Sequence, residues 1–481
     1  MMMKNIYLAI LMTFAVAACA VQPATHADLA ATVRTTAPAD WAVDVPKADA
    51  DPDTWWNQFN DPAMHELVAS VLNSNLDVQA AVERVKQAQA LTTQRRAALL
   101  PQLDANAGAS DARQNTPPPL GYVRQAGFGL ALNWTPDVFG GERLELLASQ
   151  AQLVGREHAA DQIRLALAAD TASAYVDLRW AQAERKILED NLTIRERALK
   201  LTQRRLQYGL STQLDVARAQ NQLSDLQARI PRTNATIQHQ LSLIAVYSGR
   251  TPESVDKLML ADAGAAPAIP VPADDAPQML PSGALLRRPD VLVAYAQVQQ
   301  RAAEVGVARA ERYPKFSLRL TDGLLASSYL GLPTLADNLF SAALNATSPI
   351  FNAGRITADI EQNESRMRES ELNLRETMLQ ALKDVEDTRS DLVSTTDQTA
   401  RLTDALAASG KSLALSTQLY KGGAASFLDV LDAQQAYLRD ADALNQSRRE
   451  HALAAVAMYR SLGGGWSATN DDDSVRTAMG R

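Results

Sequence analysis

The sequence predicts a mainly α-helical protein with a small β part, built by internal duplication, and three observations carry that prediction. Long stretches of Ala, Leu, Gln, Arg and Glu, with only 5% aromatic residues, form a composition typical of long helices. The segment LQYGLSTQLDVARAQ at 206–220 returns as YKGGAASFLDVLDAQ at 420–434. Between the helical stretches lie short runs in which apolar and polar residues strictly alternate, as they do in half-buried strands.

The chain opens with MMMKNIYLAILMTFAVAACA. Lys4, an apolar run from Ile6 to Ala18 too short to span a bilayer, and small residues before Cys19 read as a secretory signal. Val16-Ala17-Ala18-Cys19 resembles a bacterial lipobox, in which the thiol is acylated and cleavage makes it the first residue. Ala20 follows where inner-membrane lipoproteins usually carry Asp, which points to the outer membrane. Cys19 is the only cysteine, so no intramolecular disulfide can form. A formal net charge of -8 argues against a nucleic-acid binder, which usually shows a basic face.

Laid over itself at an offset of 213 or 214 residues, the chain aligns in four blocks of the same order. Asn75-Leu76-Asp77-Val78 falls on Arg288-Pro289-Asp290-Val291, and Leu100-Pro101 falls on Tyr313-Pro314. Pro136 and Gly141 fall on Pro349 and Gly354, beside Phe139 and Phe351 respectively. Gly209 with Leu214-Asp215-Val216 falls on Gly423 with Leu428-Asp429-Val430. Ordered matches at nearly one offset mean a duplication.

Each copy reads helix, strand, strand, very long helix, turn, helix. Asp61-Pro62 opens the first helix with an N-cap and a proline at its first position, and Met64, Leu67, Val68, Val71 and Leu72 keep helical spacing. That helix is expected to run to Leu99, ahead of Pro101. LDANAGA, GFGLALNW and KFSLRLT then alternate; Phe128, Leu130, Leu132 and Trp134 share one face. Four strands per chain are too few to close a barrel, yet each carries an apolar face and edges that need pairing, so several chains are expected to build one barrel. Stretches 142–208 and 355–421 contain no proline, and a helix of 67 residues is about 100 Å long. Helices at 211–247 and 288–312, and at 426–462 and 62–99, have the length to pack beside them as end-to-end pairs. The Ala/Pro-rich 251–282 is expected to be an irregular excursion, and the tail after Gly463 to be unpacked.

WWNQFNDPAMHELVASVLNSNLDVQAAVERVKQA, LPSGALLRRPDV and YKGGAASFLDVLDAQ resemble the outer-membrane efflux lipoproteins of the NodT type, within the TolC-like family. The resemblance covers nearly the whole mature chain. It implies a homotrimer whose twelve strands, four per chain, form one outer-membrane β-barrel continuous with a long periplasmic α-helical barrel. The chain then divides into a signal peptide (1–18), a lipidated extension (19–61), a first repeat (62–250), a linker (251–283), a second repeat (284–463) and a flexible tail (464–481). The implied activity is that of a passive exit duct needing no cofactor. The implied partners are a periplasmic adaptor, an inner-membrane pump of the resistance–nodulation–division type, and lipid through acylated Cys19.

The resemblance also assigns roles at the repeated segment. The two turns meet the adaptor hairpin, at Gly209, Leu210 and Ser211 and at Gly423, Ala424 and Ala425. Glycine fits there because it adopts the left-handed conformation that ends a helix. Asp429 and Asp432 point into the tunnel near its closed end, so that three chains gather six carboxylates, which favours protonation or bound cations. Spacing alone also fits solvated charge on an outer helix face. Tyr420 and Asp215 match two partners of a closing hydrogen bond between hairpins, whereas the arginine some members place beside the turn is Ala425 here. Three other readings remain open at this level: an enzyme, a non-conducting periplasmic coiled-coil lipoprotein, and the duct of a type I secretion system. The five histidines are scattered, with no HExxH, P-loop or nucleophile elbow to support the first, and the four alternating strands would have no purpose in the second.

Overall fold

The computed structural model describes residues 21–45, 47–48, 53–114, 121–254, 268–270, 276–277, 279–329 and 332–465. Cys19, with the rest of the signal segment, lies outside them, as does the tail beyond 465. The described helices are α1 (Leu29–Thr36), α2 (Pro62–Ser74), α3 (Leu76–Ala97), α4 (Gly141–Gln207), α5 (Gln213–Tyr247), α6 (Pro281–Arg287), α7 (Pro289–Ala310), α8 (Arg355–Gly422) and α9 (Phe427–Ser461). The strands are β1 (Lys47–Ala48), β2 (Gln102–Gln114), β3 (Gly121–Trp134), β4 (Ala276–Pro277), β5 (Lys315–Tyr329) and β6 (Leu332–Thr347). The chain forms two compact units that both repeats share: one from Glu83–Glu157, Val293–Glu376 and the segment up to Leu29, the other from Ala30–Val82, His158–Leu292 and Thr377 onward. The 67-residue α4 and the 68-residue α8 contribute to both.

The first unit carries a four-stranded antiparallel sheet in the order β2-β3-β5-β6. Each repeat supplies a hairpin, and β3 pairs with β5 to join them. Directly opposed residues share a face. The pairs Leu103↔Leu132, Leu132↔Leu320 and Leu320↔Ala342 therefore lie on one side, with Ala105↔Leu130 and Ala107↔Phe128. The opposite face carries Asp104, Asn106, Ser110, Gln125, Asn133, Arg319 and Ser341. Alternation in the sequence thus becomes one mainly apolar face, exposed at Leu103, Phe128, Leu324, Phe340 and Leu344 and interrupted by Asp322 and by the Asp111–Arg124 pair, and one mainly polar face. At the β3–β5 junction Gly129 opposes Gly323, and a Cβ on Gly323 would stand 2.7 Å from the Phe128 carbonyl oxygen, so only glycine permits this approach. The outer edges of β2 and β6 have no strand partner among the described residues.

Below the strands, Phe139 stacks on Tyr313 at 4.8 Å and lies 6.4 Å from Phe316, and the Trp134 indole donates to the Leu99 carbonyl at 3.1 Å. Val21 N–H donates to the Phe139 carbonyl and Ala24 N–H to the Ala302 carbonyl, each at 3.0 Å, which fastens the N-terminal segment to this unit.

The second unit is the larger core. Trp55 stacks on Tyr459 at 5.5 Å, and Met64, Val68, Val71, Tyr175, Leu178, Leu241, Ile244 and Met458 are fully buried around them. Asp61 caps α2, accepting from Ala63 N–H at 3.0 Å and Met64 N–H at 3.2 Å, and it also accepts from the buried Tyr175 hydroxyl at 2.9 Å.

Two expectations are corrected here. The helix expected at 62–99 is two helices, broken at Asn75, whose extended backbone ends α2 while its Oδ1 accepts from Asp77 N–H at 2.8 Å and Val78 N–H at 3.2 Å to start α3. Its equivalent Arg288 breaks the second repeat in the same place, between α6 and α7. The linker is not wholly irregular: β4 pairs in parallel with β1, Ile269 is buried in the core, and α6 begins at Pro281.

Candidate functional site

The repeated segment forms two helix–turn–helix connections in the second unit. At the first, Gly209 has φ +70°; its N–H donates to the Leu206 carbonyl at 2.9 Å, and Leu210 N–H donates to the Arg205 carbonyl at 2.8 Å. At the second, Gly423 has φ +78°; its N–H donates to the Tyr420 carbonyl at 3.1 Å, and Ala424 N–H donates to the Leu419 carbonyl at 2.9 Å. Both are the paired bonds of a Schellman motif, which satisfies the last carbonyls of α4 and α8.

The helices that follow start alike. Thr212 and Ser426 are N-caps, and Asp215 and Asp429 close capping boxes with them. The Asp215 Oδ2 accepts from Thr212 N–H at 3.0 Å, the Thr212 hydroxyl at 2.8 Å and the Ser211 hydroxyl at 3.0 Å. The Asp429 Oδ2 accepts from Ser426 N–H at 2.8 Å and the Ser426 hydroxyl at 2.7 Å. This supplies the physical reason both repeats keep Asp at the same distance after the glycine. Partial burial pushes the Asp215 carboxyl up, but the bonds from Thr212 and Ser211 outweigh it and hold it below the usual carboxylate range. The Ser426 hydroxyl and N–H hold the exposed Asp429 carboxyl low as well.

Asp432, one turn beyond Asp429, is exposed. Of the turn residues, Leu210 is 63% exposed, Ala424 is exposed, and Ser211 and Ala425 are half-buried. Tyr208, Leu214 and Leu428 add exposed apolar surface at the same two turns.

Tyr420 is buried against Phe427, and its hydroxyl has no hydrogen-bond partner among the described residues. The hydrogen bond expected between Tyr420 and Asp215 is therefore not formed: the Asp215 carboxylate is taken up by its own turn. The turns are joined instead by Arg205, a residue the sequence reading did not single out. Its Nη1 donates to the Tyr420 carbonyl at 3.0 Å, its Nη2 to the Leu210 carbonyl at 3.5 Å, and the guanidinium lies 4.7 Å from the centre of the Tyr420 ring. Leu199, Ala219, Leu223, Val430 and Leu431 pack beneath it, drawing on both repeats.

Farther along the same helices, Arg229 of α5 reaches Glu184 of α4 at 3.0 Å and Asp442 of α9 at 2.7 Å. Burial, and then the neighbouring Asp442, hold the Glu184 carboxyl above its usual range. The LLRRPD segment also has a structural role. Arg288 clasps Asp290 at 2.7 Å and Asp384 at 3.3 Å and donates to the Ser461 carbonyl at 3.0 Å, while Arg287 pairs with Asp53 and donates to the Gly463 carbonyl at 3.2 Å. Both arginines thus cap the C-terminal end of α9, where the helix dipole favours cations.

A duplicated chain that pairs two hairpins into an open-edged sheet and carries helices of 67 and 68 residues is a subunit of the TolC-like outer-membrane channel class. The chain belongs to the outer membrane efflux protein family, whose sequence profile matches residues 67–249 and 280–464, one match on each repeat. It is 29% identical over 432 residues to the pyoverdine export outer membrane protein OpmQ of Pseudomonas aeruginosa, covering 86% of this chain and 88% of that one. Nodulation protein T of Rhizobium leguminosarum bv. trifolii is 27% identical over 422 residues, with 86% and 88% covered. The solved outer-membrane channel OprN superposes with a TM-score of 0.81 at 28% identity, over 89% of this chain and 97% of that one. The protein is an outer-membrane channel component of an efflux system, and no described helix is long and apolar enough to cross a membrane.

Proposed function

We propose that three copies close one twelve-stranded barrel in the outer membrane, continuous with a helical duct through the periplasm, and that the duct passes substrates outward from an inner-membrane pump of the resistance–nodulation–division type. The observation that carries this reading is the four-stranded sheet: one face mainly apolar, one mainly polar, and both outer edges without a strand partner among the described residues. In a barrel the apolar face meets lipid and the polar face lines water. The aromatic group of Trp134, Phe139, Tyr313 and Phe316 stands at one end of the strands, where such rings anchor a barrel at the membrane interface. Val21 is fastened beside Phe139.

The periplasmic adaptor docks on Gly209, Leu210 and Ser211 and on Gly423, Ala424 and Ala425, whose surroundings expose Tyr208, Leu214 and Leu428. Asp432 and Asp429 form the cation-attracting ring of the periplasmic gate, Asp432 being the member free of the cap. Purified protein in a planar bilayer tests the channel: a folded assembly that carries no current would favour a structural lipoprotein. Asp432→Asn with Asp429→Asn tests the ring, since an amide oxygen still accepts the cap bond while the charge is lost. Cation selectivity should fall; unchanged selectivity removes the ring.

A further inference from the structure

We infer that Arg113 and Arg124 bind the phosphate of a glycolipid headgroup in the external leaflet, at the outer rim of the barrel. The inference deepens the proposed barrel and rests on it. All four strands join their helices at the aromatic end of the sheet, so the opposite end faces outward. Trp134 closes β3 at the aromatic end, and Arg124 stands on the same face of the same strand about ten residues away. At about 3.4 Å per residue and a tilt of about 40°, that separation is a height of about 26 Å. An outer-membrane barrel carries an apolar band about 25 Å tall between its two interfaces. With the aromatic rings at one interface, Arg124 therefore reaches the other, where the external leaflet of an outer membrane presents phosphorylated glycolipids.

The register builds a cluster there. Asp111 pairs directly with Arg124, and its Oδ2 accepts from the Arg124 Nε at 3.1 Å. That bond orients the guanidinium and leaves both Nη groups without a partner among the described residues, on a side chain 74% exposed. Arg113, two residues beyond Asp111 on the same face, is exposed and has no ion partner among the described residues. Diagonal neighbours across an antiparallel pair lie about 7–8 Å apart, a gap that one phosphate bridges with bonds to both guanidinium groups. Two arginines against one aspartate keep the cluster cationic. On its other side Arg124 faces Ser328, which adds no charge. Asp322, the other charge on this face among the described residues, stands opposite Leu130, nearer the aromatic end and too deep to meet the same headgroup. In the second repeat Leu324 and Ala326 stand where the first has Asp111 and Arg113, so each chain carries one such cluster.

The test adds diphosphoryl lipid A, or the same lipid stripped of its phosphates, to the full-length protein in neutral detergent micelles. Bound lipid is measured by native mass spectrometry, with thermal stability of the assembly recorded for every variant. The phosphorylated lipid should bind the unaltered protein about tenfold more tightly than the stripped one, and Arg113→Gln with Arg124→Gln should abolish the difference. Arg113→Gln alone, which breaks no ion pair, should abolish part of it. Arg319→Gln, on the polar face, should leave it unchanged. Equal binding of the two lipids, or a loss with Arg319→Gln as large as with the double variant, overturns the site. Displacement of the lipid by an equal concentration of inorganic phosphate would assign the cluster to a free anion and overturn the lipid. Binding is read without any current, so an assembly that binds by phosphate yet conducts nothing would sink the duct and keep the site, and a conducting assembly indifferent to phosphate would do the reverse.

Discussion

Arg229 shows how a single residue holds two repeats together. It comes from the first repeat, and it neutralises Glu184 of the same repeat and Asp442 of the second, both partly buried. Its own side chain is 39% exposed, so the pair energies are screened, and their removal should cost about 1–2 kcal/mol rather than the larger cost of a sealed ion pair. Arg229→Met leaves two carboxylates facing each other, one of them already held above the usual range by burial and by the other. A carboxyl raised in the folded state penalises folding once the pH passes above its unfolded value, and the penalty vanishes when it is protonated. The deficit of Arg229→Met should therefore be larger at pH 8 than at pH 5, read as the difference in thermal dissociation temperature of the assembly. An equal deficit at both values would place the effect in lost packing instead. None of these partners is visible in the sequence, because the pairing joins helices whose residues are 45 and 213 positions apart.

At the scale of elements, the turns are over-determined: a glycine ends each long helix, and a capping box starts the next. Thr212→Ala removes the side-chain acceptor for Asp215 N–H and should weaken the first turn of α5 by about 1 kcal/mol, the usual worth of an N-cap. That corresponds to roughly a fivefold acceleration of amide exchange confined to the start of α5; no acceleration would mean that the Thr212 hydroxyl adds nothing to the cap and that the bonds the Asp215 carboxylate accepts from Thr212 N–H and Ser211 hold the turn. The long helices were legible because their stretches lack proline, and the strands because alternation survives when one side of a sheet is apolar and the other polar. Pro231 inside α5 did not end it, since the helix continues to Tyr247. The break at Asn75 was hidden because Ser-Asn-Leu-Asp reads equally well as helix interior or as cap. The deciding bond, from Asn75 Nδ2 to the Tyr247 carbonyl at 2.9 Å, spans 172 residues. The candidate gate was legible only in part: glycines and aspartates announce themselves by repetition, whereas Arg205 acts from the helix before the turn.

The duplication sets an expectation for the whole assembly. Within one chain, β3 of the first repeat pairs with β5 of the second, and Phe139 of the first packs on Tyr313 and Phe316 of the second. The corresponding surfaces at the other seam are bare. Ile350 and Phe351 are 97% and 89% exposed, while Leu100 and Leu103, which align with Tyr313 and Phe316, are 64% and 63% exposed. Both sets are satisfied if the second repeat of one copy meets the first repeat of the next with the geometry already used inside the chain, and repetition of one seam around a ring is what closes a cyclic assembly. At the offset of 213 the internal pairing Leu130↔Asp322 maps onto Ala343 and Ala109; Ala343 lies on the polar face, so a one-residue shift, which keeps the apolar faces together, sets Leu344 opposite Ala109 of the partner subunit. Opposed strand residues have Cβ atoms about 4.5–5.5 Å apart, close enough for a disulfide with slight adjustment. Cells producing Leu344→Cys together with Ala109→Cys should yield covalent dimers and trimers on oxidation, whereas either single variant should yield neither. A folded, membrane-inserted double variant that stays monomeric after oxidation would show that β6 and β2 do not meet in this register, and the closed barrel would need another seam.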